Sequence, residues 1–130
     1  MNLHNPHDWF RKAERNIGLA QLAVPNMGKY PDLICYHCLQ AAEKYLKALV
    51  VHHGLPLRKM HDLTALLDML APLDATIEGP FYTEALKINE YGIDICYPDP
   101  DPDPTPEEVH EALEVAGFFR KFAAGVLAIK

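Results

Sequence analysis

Hydrophobic and polar positions follow helical spacing along most of this chain. The clearest segment is Asp32 to Gly54, DLICYHCLQAAEKYLKALVVHHG, with apolar residues at Cys35, Leu39, Ala42, Leu46 and Leu49. Steps of four and three put these residues in one stripe on an α-helix. His37, Gln40, Lys44 and Lys47 form a second, polar stripe at the same spacing. Such a helix is suited to a bundle on one side and can offer ordered polar groups to something outside it.

Four more helices follow from the same pattern. Trp9, Ala13, Ile17, Ala20 and Val24 predict a helix from about His7 to Val24, ended by Pro25-Asn26-Met27-Gly28. Gly54 and Pro56 close the second helix. Asp62 is placed to cap a short third helix reaching Leu70, with Leu63, Leu66, Leu67 and Leu70 inward. A fourth runs from about Gly79 to Ile95 with Phe81, Ala85, Ile88, Tyr91 and Ile95 inward, its end weakened by Gly92 and the β-branched Ile93 and Ile95. The fifth opens on Thr105 as N-cap, Pro106 at the first helical position and Glu108 completing a capping box. Its apolar residues make two stripes. One is Val109, Ala112, Ala116, Phe119, Ala123 and Val126; the other is Val115, Phe118, Phe122 and Ile129. Two stripes need two surfaces, either the core and a second copy, or a central place within one bundle.

No strand is predicted. The stretch 97–106, YPDPDPDPTP, alternates proline and cannot continue a helix or pair in a central strand. It reads as an extended acidic connector, the alternative being a docking strip or divalent-ion site. The expectation is one all-α domain over residues 1–130, an up-and-down four-helix bundle with an extra short helix.

Composition narrows the function classes. The chain has 130 residues, 49% of them hydrophobic, which suits a single core and argues against disorder. The net charge of −6 disfavours non-specific binding to DNA or other phosphate backbones. Neither a membrane-spanning run of about 18 apolar residues nor the apolar core of a signal peptide is present, so a cytoplasmic protein without a membrane partner is expected. Three cysteines make a disulfide framework an unsuitable reading there.

Motif chemistry is sparse. Cys35 and Cys38 form C-x-x-C around His37, yet Cys35 falls on the apolar seam and no second pair completes four zinc ligands. Buried apolar thiols are expected, with no metal and no cofactor. His52 and His53 suit the C-terminal end of a helix dipole. Arg58, Lys59, His61 and Asp62 form a basic loop before a helix start, a candidate anion or nucleotide-phosphate contact. His37, Gln40, Lys44 and Lys47 are the candidate nucleotide- or partner-binding row. No Walker loop, Gly-rich dinucleotide turn, nucleophile elbow or H-E-x-x-H is present.

The order of CYHCLQAAEKYLKALVVHHG (Cys35 to Gly54), HDL (His61 to Leu63), the lead-in WFRKAERNIGLAQ (Trp9 to Gln21) and the two YPD triplets at Tyr30 and Tyr97 resembles the HEPN family over nearly the whole chain. The resemblance implies a four-helix bundle with a short additional helix, usually a homodimer. It also implies prokaryotic proteins often encoded beside a minimal nucleotidyltransferase in toxin–antitoxin pairs. Some members are metal-independent RNases that use an arginine followed, after four to six residues, by a histidine at the dimer interface. Here none of Arg11, Arg15, Arg58 and Arg120 has that histidine, since Arg58 and His61 are too close. Cys96-Tyr97-Pro98 stands where many relatives have arginine-tyrosine-proline, and a thiol supplies no guanidinium fork. No catalytic residue is therefore carried over. The expected function is a dimerising module that accompanies a nucleotidyltransferase and either binds a nucleotide or serves as that enzyme's protein substrate. The alternative is an RNase with a non-standard site at the dimer interface, for instance Arg58 and His61.

Overall fold

The computed structural model describes residues 1–57, 59, 61–91 and 103–129. Five α-helices and no strand are present among the described residues: α1 (Pro6–Ala23), α2 (Pro31–His52), α3 (Leu63–Leu70), α4 (Gly79–Ile88) and α5 (Pro106–Leu127).

Local chemistry sets the ends. Asn5 caps α1, its side-chain oxygen accepting from the His7 amide at 2.9 Å, and Pro6 occupies the first turn, where its missing N–H costs nothing. Pro25 stops α1 in a 3-10 turn at Val24–Asn26. Helix α2 ends on Gly54 at φ +71°, with the Leu55 amide donating to Val50 and the Gly54 amide to Val51. This Schellman closure favours glycine, which carries no Cβ penalty in the left-handed region. Thr105 and Glu108 form the expected reciprocal capping box at α5.

Helix α2 is the axis of the molecule. Fourteen of its twenty-two residues are buried, so it is enclosed on several sides rather than along one seam. It runs back along α1, with Phe10 edge-on to Tyr45 at 5.1 Å between ring centroids, and α5 lies against both. All five predicted seam residues of α2 are buried, as are the four leucines of α3. Each large apolar side chain enclosed this way contributes roughly 1.5–3 kcal/mol of transfer free energy.

Three expectations are corrected. Phe10 is buried in α1 whereas Trp9 is half-buried, because Phe10 is the ring that packs between Tyr45 of α2 and Arg120 of α5. Helix α4 ends at Ile88, seven residues before the expected Ile95, because Asn89 turns back to cap α3. Its side-chain oxygen accepts from the Leu63 amide at 3.1 Å, and its amide nitrogen donates to Asp62 at 3.0 Å. The polar row of α2 is not an outer face, since α1 covers much of it. The second stripe of α5 is met inside the chain, where Phe81 of α4 packs edge-on against Phe118 and Phe122 at 5.0 and 4.8 Å. Residues 97–102 of the proline-rich stretch, with Ile93 to Cys96, lie outside the described residues.

Candidate anion-binding face and a paired histidine

Two polar clusters flank α2. The first lies in the seam between α1 and α2. Asn16 of α1 sits between His37 and Lys44, residues two turns apart on α2. The Lys44 ammonium donates to Asn16 Oδ1 at 2.6 Å, which leaves the Asn16 amide nitrogen to donate to His37 Nδ1 at 3.0 Å. His37 Nδ1 is therefore an acceptor and Nε2 carries the proton. Burial and the Lys44 charge hold the His37 pKa below its ordinary value. Lys44 is held low as well, by burial foremost; the Glu43 charge pulls the other way, and Lys12, Lys47 and Arg15 each push it further down. Gln40 is half-buried on the same face.

Lys12, Arg15 and Lys44 have no carboxylate in ion-pair range among the described residues. Their neighbour Glu14 is committed elsewhere. It accepts from Arg120 Nε at 2.6 Å, from a second Arg120 nitrogen at 3.2 Å and from the Tyr45 hydroxyl at 2.5 Å. Asp8 is committed to Arg11 and to the Asn2 amide. A depression of about 420 Å³ on α1 is lined by Asp8, Arg11, Lys12, Glu14 and Arg15 with Met1, and by no residue of α2. Acidic residues gather separately, at α4 and α5, where Glu84, Glu107, Glu111 and Glu114 line a second depression of about 370 Å³.

The second cluster is built on Glu43, a carboxylate with 4% of its side chain exposed. Lys47, 8% exposed, donates to Glu43 Oε2 at 3.0 Å and lies 5.6 Å from the Trp9 ring centroid. His61 reaches Oε1 of the same carboxylate through Nδ1 at 3.1 Å, while its side chain remains 76% exposed. Lys47 thus stands apart from the His37–Lys44 group, its ammonium held by Glu43. Asp62 is the α3 cap, accepting from the Thr64 amide at 2.9 Å and hydroxyl at 2.7 Å. Those bonds, the Thr64 hydroxyl foremost, lower its pKa. Arg58 lies outside the described residues.

A model of the HEPN domain matches residues 6–126. This chain belongs to the HEPN family. A solved structure agrees: the crystal structure of ST0689, described as an archaeal HEPN homologue, superposes with a TM-score of 0.74 at 25% identity, each chain covered over its full length. No functionally curated protein matches.

The HEPN bundle brings His37, Gln40 and Lys44 together and adds Lys12, Arg15 and Asn16, which periodicity alone did not single out. Their signal was present, since Lys12, Arg15 and Asn16 share one face of α1 at helical spacing. Glu43 was also missed, although a carboxylate in an otherwise apolar run is itself informative. Cys35 and Cys38 are fully buried. Burial foremost pushes both thiols up to about 12, so neither is a ready thiolate. Among the described residues no group of three or more His, Cys, Asp or Glu converges as for a metal ion, and no helix is long and apolar enough to cross a membrane.

Proposed function

We propose that this HEPN protein is a dimerising binding module that accompanies a minimal nucleotidyltransferase and takes an anionic group, the phosphates of a nucleotide, on the α1–α2 face. The observation that carries the reading is Lys44. Its ammonium is half-buried and bonded to a neutral amide, and the cations Lys12, Lys47 and Arg15 push on it against the pull of Glu43. An incoming phosphate would relieve that repulsion, with Lys12 and Arg15 at the rim and His37 Nε2–H and Gln40 as hydrogen-bond donors. The exposed Leu19 and Leu22, three residues apart on α1, support a covered outer face in a dimer.

Two experiments test the reading. Native mass spectrometry of protein purified gently from its own host should find a dimer with a small nucleotidyltransferase or a bound nucleotide; a bare monomer would overturn it. Lys12→Ala with Lys44→Ala should weaken nucleotide binding by about tenfold or more, the scale of one lost charge-assisted contact. Unchanged binding in that variant would place the site elsewhere.

RNA cleavage is the second reading, and the Glu43–His61 pair favours it, since an oriented histidine is a competent general base. Metal-free cleavage by pure protein that disappears in His61→Ala would establish it, and no turnover across varied RNAs would exclude it.

A further inference from the structure

We infer that His61 is a covalent acceptor site: a histidine whose Nε2 takes a phosphoryl group from a phosphoanhydride or phosphoramidate donor. The inference stands on the second cluster and does not depend on the nucleotide reading of the first.

The argument begins with the tautomer. An ionised carboxylate only accepts hydrogen bonds, so Nδ1 of His61, 3.1 Å from Glu43 Oε1, carries the ring proton. In the neutral ring the Nε2 lone pair is then free. With three-quarters of the side chain exposed, that lone pair is open to a donor in solution or on another protein. Glu43 itself has little freedom. Its side chain is buried, and Lys47 holds its other oxygen at 3.0 Å. A fixed carboxylate behind a histidine fixes the ring's orientation and tautomer.

No other described histidine has this combination. The chain contains seven. His37 presents the opposite tautomer, its Nδ1 accepting from Asn16, and is half-buried. His52 and His53 pack edge-on against each other at 5.1 Å. His4, His7 and His110 are exposed, and no carboxylate lies in ion-pair range of their rings among the described residues. A structural clamp would be served as well by a buried ring. Here the bonded edge is fixed and the nucleophilic edge is presented.

The chemistry balances with one nucleophile. Nε2 attacks phosphorus and an N–P bond forms. The bond from phosphorus to the leaving group breaks, and the leaving group departs with that electron pair and takes a proton from water. The positive charge that develops on the ring is met by Glu43 through Nδ1–H. RNA cleavage would need a second proton-transfer group on the far side of the phosphate, whereas an acceptor does not. Lys59, exposed two residues upstream, adds a positive charge to the same loop for the incoming anionic group.

The test uses the full chain and potassium phosphoramidate, with the modified histidines located by mass spectrometry under alkaline conditions and the N–P linkage read by phosphorus NMR. His61 should be modified about tenfold faster than His4 and His110 in the same sample, the scale on which an orienting carboxylate acts on a histidine. In Glu43→Gln its rate should fall to theirs. Equal rates for the three histidines in the wild-type protein would overturn the inference, as would a His61 rate that Glu43→Gln leaves unchanged. Because Glu43→Gln leaves Lys47 buried beside a neutral amide, the double variant Glu43→Gln/Lys47→Met serves as a second probe. The wild-type comparison stands whether or not either variant folds.

Discussion

Tyr45→Phe removes one oxygen from the centre of the bundle and is expected to cost about 1–2 kcal/mol at neutral pH. The Tyr45 ring is fully buried, and its hydroxyl donates to the Glu14 carboxylate. Phenylalanine keeps the ring volume and the edge-on contact with Phe10, so no cavity term enters. A hydrogen bond to a charged group is worth roughly 1.5–3 kcal/mol. Part of that is recovered, because the variant no longer desolvates a hydroxyl and Glu14 keeps both bonds to Arg120. Urea unfolding followed by circular dichroism measures the difference, which corresponds to a lowering of the melting temperature by about 4–7 °C for a chain of this size. The penalty should also depend on pH with a definite sign. Burial pushes the Glu14 carboxyl up, but the bonds from Arg120 and Tyr45 and the Arg120 charge outweigh it, and its folded pKa lies below the ordinary 4.5. Stability from this carboxylate is therefore fully present above its unfolded pKa and is lost as pH falls through the folded one. The gap between wild type and Tyr45→Phe should narrow in acid, where a protonated Glu14 makes an ordinary neutral bond. A penalty under about 0.5 kcal/mol, or one that is the same on both sides of that titration, would refute the reasoning.

Three further outcomes are expected. Lys47→Met strands the Glu43 carboxylate in the interior and should destabilise by about 3–5 kcal/mol in chemical denaturation, while adding Glu43→Leu should restore much of the loss. Ala128, at φ 57° in the closure of α5, should tolerate glycine with a gain of about 0.5–1 kcal/mol, visible as a higher melting temperature. His37 binds a proton less readily folded than unfolded, so stability should fall as pH drops below the ordinary value of 6.5 toward its lower folded pKa; His37→Gln should flatten that slope in unfolding midpoints measured across the interval.

How much of this was legible in the chain differs by level. Helix starts and stops were written in short-range chemistry: Asp62 beside Thr64, the Thr105-Pro106-Glu108 box and Gly54 at the end of α2 each act within a few residues. The seam of α2 was legible for the same reason, because helical spacing is a local property. What spacing does not specify is how many neighbours a helix has. The row of His37, Gln40, Lys44 and Lys47 reads as an outer face until α1 is placed over it, with Asn16 twenty-one positions from His37. That covering divides the row: Lys44 stays with His37 and the α1 cations, while Lys47 goes to Glu43. The early end of α4 has a similar origin, since Asn89 is drawn to an α3 cap twenty-seven positions earlier in the chain. The Glu43–His61 pair depends on a loop closing back onto α2, which no periodic pattern encodes.

The fork between Glu14 and Arg120 joins residues 106 positions apart, so the first and last helices meet there. That distance matters while the protein is being made. On the ribosome α1 and α2 emerge early and can pair at once, but the side of α2 destined for α5 stays open until synthesis is nearly finished. A nascent chain stalled before Pro106 would leave the hydroxyl of Tyr45 and the carboxylate of Glu14 without their guanidinium, beside an uncovered apolar wall. Such a fragment is a natural client for chaperones and proteases, and the arrival of Arg120 converts it into a sealed bundle.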